Sequence, residues 1–160
     1  MKKILLLFAV VSLCACGCHT TKATADGTAE SATAAQESDT PLRETKWVLV
    51  SLNSEPLKDA PEVPYIIFSG DRMTGCLGCN SFFGTFYANR SGKISFKYDG
   101  STKRLCNAME LEYDFISALQ SERTTYVIVK DMLIIRAEKT LKDGTKKEVE
   151  VLRFKADKEN

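Results

Sequence analysis

The sequence is short of histidine, proline and net charge. His19 is the one histidine, and it precedes the segments rich in large apolar residues. Without an imidazole in the later residues, Ser-His-Asp and Cys-His nucleophilic sites and the two-histidine facial metal triad are excluded there. A zinc site wants four nitrogen or sulfur ligands. Residues 45–156 offer only Cys76, Cys79 and Cys106, so no metal is expected. No glycine-rich phosphate loop occurs, and no cofactor is expected. The formal charge of +1 lacks the basic excess that nucleic acid would require. The lysines at 139, 142, 146 and 147 are interrupted by Glu138, Asp143 and Glu148, which suits a solvated hairpin tip. No internal repeat is present. The chain is therefore not expected to be an enzyme. A carboxylate-only hydrolase is the class these absences leave open, yet no pair of acids stands out.

What is there begins at the N-terminus. Met1-Lys2-Lys3 precedes an apolar run from Ile4 to Val11, and Leu13-Cys14-Ala15-Cys16 closes it. Two lysines, about ten apolar residues and a small residue before cysteine read as a secretory signal. The run is shorter than the ~20 apolar residues that span a bilayer, which argues against a transmembrane anchor. The Leu-x-Ala-Cys ending resembles a bacterial lipobox, in which Cys16 is acylated and becomes the new N-terminus. A cut before Cys18 is the alternative. Acylation at more than one position gives stable anchoring, so the membrane is the expected partner. Gly17 is not the aspartate that retains such proteins at the inner membrane, which favours the outer one.

From 19 to 40 the chain is mostly Ala, Thr and Ser, with no aromatic or large aliphatic residue. Such a stretch cannot offset the entropy of its own ordering. It reads as a tether with a reach of about 25–30 Å; a weak Ala-rich helix is the competing reading. The expected organisation is a signal at 1–15, lipidated cysteine and tether at 16–43, a folded domain at 44–156 and a tail at 157–160.

Within the domain most segments are short, β-branched or aromatic, and punctuated by turn residues. Strands are expected at 46–52, 64–68, 72–76, 82–87, 93–98, 124–129, 132–137 and 148–154. One segment has helical spacing. Residues 107–120 place Ala108, Leu111, Phe115 and Leu119 on one face, with Asn107 as N-cap and Glu110 completing a capping box. Glu110, Glu112 and Asp114 suit the helix dipole and read as a solvated face rather than as a cation or acid–base site. The fold class is mainly β with one helix: an antiparallel sheet of about eight strands, strongly curved or barrel-like, with the helix packed on it.

Once Cys14 and Cys16 are set aside, Cys18, Cys76, Cys79 and Cys106 remain. An exported chain meets an oxidising compartment, but the residues alone leave the pairings open. Cys76-Leu77-Gly78-Cys79 is also a C-x-x-C. A redox pair would need a helix N-terminus or nearby cations to activate its thiol, whereas Asn80-Ser81-Phe82-Phe83 leads into a strand.

Around this loop the chain resembles the META domain, or HslJ-like, family of bacterial envelope proteins. Trp47-Val48-Leu49 is similar to that family's opening W-x-L. Gly75, then Gly78-Cys79-Asn80, then the Phe-Phe-Gly that ends in Phe83-Gly84 is similar to its G-x-x-G-C-N-x-[FY]-x-G. Thr102 to Cys106 is similar to its T-x-x-x-C. Leu105 stands where the family often has alanine, and Cys76 where it has a small residue other than cysteine. The resemblance implies a compact antiparallel β fold with one helix, and an association with heat stress and novobiocin tolerance. It also implies a Cys79–Cys106 disulfide, which closes a loop of about 28 residues and contributes about 3.5 kcal/mol.

Gly78-Cys79-Asn80 reads first as a structural turn, with Gly supplying positive φ. A binding surface at Asn80, Ser81, Phe83 and Tyr87 is the second reading. The expected function is a monomeric, lipid-anchored, non-enzymatic envelope protein acting in stress tolerance or envelope maintenance, with an envelope protein as possible partner. A protein-inhibitor or small-ligand-binding β module is the alternative, and a thiol oxidoreductase using Cys76 and Cys79 the third reading.

Overall fold

The computed structural model describes residues 40–57 and 59–158. The signal, Cys16, Cys18 and most of the tether lie outside the described residues. The elements are β1 (Lys46–Leu52), β2 (Glu55–Pro56), β3 (Tyr65–Ser69), β4 (Arg72–Cys76), β5 (Ser81–Ala88), β6 (Ile94–Ser101), α1 (Met109–Leu119), β7 (Thr124–Val129), β8 (Met132–Thr140) and β9 (Lys146–Ala156).

All nine strands join one antiparallel sheet in the order β6-β5-β4-β3-β1-β9-β8-β7, with the short β2 hairpinned onto β1. The first and last strands are neighbours in its middle, where Trp47 faces Ala156. The sheet is strongly curved but not closed. Its edges, β6 and β7, approach through an isolated bridge between Lys93 and Thr125. The Tyr126 N–H donates to Gly92 O at 2.7 Å beside that bridge, and the Thr124 hydroxyl donates to Ile94 O.

Alternation drives this architecture. In most strands one face is apolar and fills the core side. In β1, Trp47 and Leu49 point inward, and a register shift between Leu49 and Ser51 then moves the inward parity to Leu52. Val50, the residue passed over at the shift, is exposed. The aromatic core is linked: Phe68 to Phe86 at 4.6 Å, Phe82 to Phe115 at 5.9 Å and Phe115 to Phe154 at 6.0 Å between ring centres. Phe115 thus packs the helix into the curve of the sheet. Gly75 permits the close pairing of β4 with β3, since a Cβ there would stand 2.0 Å from Tyr65 O.

Several boundaries differ from the sequence reading. The fold begins earlier than 44: Leu42 is buried, its carbonyl accepts the Trp47 indole N–H at 2.9 Å, and Arg43 Nε donates to Gly70 O at 2.8 Å. One large aliphatic residue next to the buried tryptophan is enough to tie down the end of the polar stretch. The β8–β9 hairpin runs past the core, pairing Glu138 with Glu148 and Lys139 with Lys147. Those like-charged pairs look like loop in sequence. The glutamate pair is relieved by Arg123 and Lys146 on Glu138 and by the Thr125 hydroxyl on Glu148.

The helix is also corrected. It starts at Met109, its cap position is Ala108, and no side chain caps it. Asn107 is therefore not the N-cap, and no capping box forms with Glu110. The neighbouring Cys106 is bonded to Cys79, so a crosslink rather than a local cap fixes the entry to the helix.

Candidate functional site

Two chain segments meet beside the N-terminal half of α1. The first is the β4–β5 loop, Leu77 to Asn80. Leu77 is fully buried and anchors it. Gly78 has φ of +122°, a backbone conformation open to glycine, and its carbonyl accepts the Glu62 N–H at 3.0 Å. The second is the extended stretch 102–106 that follows β6. A Cys79–Cys106 disulfide joins the two, with Cα atoms 6.7 Å apart. The turn reading of Gly78-Cys79-Asn80 fits this placement.

Asn80 is 2% exposed, and its amide is fully used. Nδ2 donates to Arg104 O at 3.1 Å and to Glu112 Oε2 at 2.8 Å. Oδ1 accepts from the Arg104 N–H at 2.7 Å and from the Thr102 hydroxyl at 2.8 Å. The Asn80 N–H donates to Glu112 Oε1 at 2.5 Å. Glu112 is 5% exposed. It is not on the solvated face expected of it, because it lies between Ala108 and Phe115 on the apolar side of α1. That spacing, four residues after one buried position and three before another, is the sequence signal that would have found it.

Arg104 clips the outside of the cluster. Its Nη2 donates to Glu62 Oε1 at 2.6 Å and also to the Cys79 carbonyl. Cys76 is buried and free. Its thiol donates to Glu62 Oε2 at 3.6 Å, while Gly78 N–H donates to its sulfur at 3.4 Å. Burial pushes the thiol's pKa up, the Gly78 N–H opposes that, and Glu62 adds to the rise. This is the opposite of an activated attacking thiol. Cys79 is already bonded to Cys106, so the C-x-x-C is not a pair in this state. The sulfurs of Cys79 and Cys106 and the Glu112 carboxylate lie within 4.8 Å of one another. In this state the sulfurs are bound to each other and the carboxylate to Asn80, so the cluster acts as scaffold.

The expected binding surface is split by the structure. Ser81, Phe83 and Tyr87 are exposed on the convex face of β5, Phe83 at 53% and Tyr87 at 64%. Asn80 is turned inward and does not belong with them.

A different apolar surface, missed in the sequence, lies beside the scaffold. A cleft of about 440 Å³ runs between residues 101–105 and the face of α1 carrying Met109, Glu112, Tyr113 and Ile116. Leu105 is 95% exposed, Tyr113 74% and Met109 49%. In sequence these residues look like ordinary members of a loop and an amphipathic helix. Only the crosslink and the Asn80 cluster bring them together. Among the described residues no helix is long and apolar enough to cross a membrane.

The family profile described as META domain matches residues 40–155. No curated protein matches the sequence. Two solved structures are similar. One, titled as the NMR structure of the protein from Burkholderia xenovorans, is 21% identical, covers 73% of this chain and 84% of its own, and has a TM-score of 0.50. Another, titled as the NMR structure of the protein, is 22% identical, covers 71% and 90%, and also has a TM-score of 0.50. At this identity the likeness concerns the fold.

Proposed function

Starting from a chain that belongs to the META domain family, we propose that it works as a binding module held at the membrane of the cell envelope, and not as a catalyst. The observation that carries this reading is the contrast beside α1. The polar groups of Asn80 and Glu112 are bound to each other and to their neighbours, while Leu105, Met109 and Tyr113 are presented to solvent around one cleft. A buried polar cluster whose hydrogen bonds all go to its own neighbours suits a scaffold. Gathered exposed apolar side chains mark an interaction surface.

The anchoring part of the proposal rests on Leu13, Ala15 and Cys16, with Gly17 favouring the outer membrane. The biological setting, heat or antibiotic stress, rests on the family resemblance. A photoreactive residue at position 105 tests the whole reading in intact cells. Crosslinks to an envelope component, lost when Tyr113→Ser is added, are expected. Absence of any crosslink at the membrane would sink it. Loss of heat or novobiocin tolerance in a deletion strain, restored by the wild-type chain, is the expected phenotype.

A further inference from the structure

The segment forming one wall of the cleft follows the edge strand β6 and has only part of its backbone hydrogen-bonded. Thr102 and Arg104 turn their backbone towards the β4–β5 loop: Thr102 N–H donates to Ser81 O at 3.0 Å, and Arg104 uses both N–H and C=O on Asn80. In an extended chain the intervening residues turn theirs the other way. Among the described residues, no hydrogen bond involves the backbone of Lys103 or Leu105. Their free N–H and C=O groups belong to a segment that borders the cleft, opposite Met109, Tyr113 and Ile116, which are helix positions sharing one face. The Lys103 side chain has no partner among the described residues either.

Resting on the binding-module reading, we propose that this cleft takes an extended peptide segment of a partner protein, added as a strand to the edge at residues 101–105. Main-chain hydrogen bonds to Lys103 and Leu105 supply affinity, and every second peptide side chain, apolar, packs against Leu105, Met109 and Tyr113. Lys103 selects an acidic residue beside that apolar position. The chain's own tether is not the occupant, because residues 19–40 carry no large apolar side chain to fill the cleft. The disulfide and the Asn80 cluster hold the edge extended before the peptide arrives, which lowers the ordering cost of binding.

Random peptides displayed on phage and selected on the full, oxidised chain in detergent micelles provide the probe. A synthetic copy of the most enriched peptide is then bound while amide hydrogen exchange is followed. Enriched sequences should alternate apolar residues around an acid. Exchange at Lys103 and Leu105 should slow by about tenfold or more. Leu105→Ser, which removes an exposed side chain and leaves the core intact, should weaken binding by about tenfold, and Lys103→Glu should weaken it further. Binding without protection of those two amides, or no enrichment at all, overturns strand addition. If photocrosslinks from position 105 persist in cells in that case, the binding-module reading stands without it; if they are also absent, both fail.

Discussion

The carboxylate of Glu112 accepts two hydrogen bonds from one residue, Asn80, from its backbone N–H at 2.5 Å and its side-chain amide at 2.8 Å. Both residues are almost wholly buried. The pair ties the helix to the loop it crosses, and it does so at the point where the disulfide does the same through covalent bonds. Asn80 also holds Arg104 and Thr102, so one amide sets the path of the entire second segment.

Replacing Asn80 should expose that dependence. Asn80→Ala keeps the backbone N–H on Glu112 but removes the side-chain amide that bonds Glu112, Arg104 and Thr102, and is expected to cost about 2–4 kcal/mol in denaturant unfolding. Asn80→Asp should cost more at neutral pH, because the new carboxyl faces Glu112. Two carboxyls so placed share a proton, and one takes a raised pKa in the folded state. Stability of this variant should therefore recover as pH falls through the carboxylate range and be lost again as it rises. A pH-independent deficit equal to that of Asn80→Ala would contradict the pairing.

Cysteine chemistry gives a second test. Non-reducing peptide maps should contain the Cys79–Cys106 peptide, with Cys76 free. The double variant Cys79→Ser, Cys106→Ser should lose about 3–4 kcal/mol. Cys76 should resist alkylation in the native protein and react promptly when unfolded, since burial raises its pKa. Because the folded value is the higher one, its contribution is present at low pH and is lost as pH climbs past the unfolded thiol's ordinary range. Cys76→Ala should flatten that alkaline decline. Rapid native alkylation at neutral pH would count against the buried placement.

Trp47 reports the early start of the fold. Its ring has no exposed surface, and its N–H is held by Leu42 O. Native emission should be blue, shifting to red on unfolding. Trp47→Phe should cost about 1–3 kcal/mol through the lost hydrogen bond and the unfilled volume. A water-like native spectrum would refute the packing.

Gly75→Ala should be among the most damaging single substitutions of the domain. The added Cβ meets the Tyr65 carbonyl, a backbone atom that cannot rotate away. A loss of about 3 kcal/mol or more is expected, read as a fall in the thermal midpoint. A neutral effect would mean that β3 and β4 separate easily.

For the N-terminus the expectation is chemical. Cys16→Ser should abolish acylation and accumulate unprocessed precursor. Mass spectrometry of the membrane fraction decides it. Normal acylation of the variant, with no shift to Cys18, would remove the anchoring proposal.

The mainly β class, the single helix and most strand positions were legible because alternation and helical spacing are local properties of the chain. Phe115 and Leu119 announce their burial by helical spacing alone. Glu112 did not, since a carboxylate on an apolar face is explained only by a donor supplied from residue 80. The cap at Asn107 failed for a related reason: a crosslink from a distant loop fixed the helix entry. Leu105 is an ordinary loop leucine until the disulfide sets it beside Met109 and Tyr113. The hairpin tip was underestimated because like charges directly opposed look unfavourable without their cations from Arg123 and Lys146.

The pairing of β1 with β9 sets the order in which this chain can fold. β1 has β3 on one side and waits for β9 on the other, and nearly the whole domain separates Trp47 from Ala156. Closing so long a loop is entropically slow, and contacts of this range delay the folding transition. A nascent chain with its last strand still in the ribosome has an unfilled slot in the centre of its sheet, not at the edge. The sheet cannot be completed until β9 has emerged, and until then the chain stays open enough to be threaded. Refolding should accordingly be slow for a domain of this length, and truncation before Phe154 should prevent it.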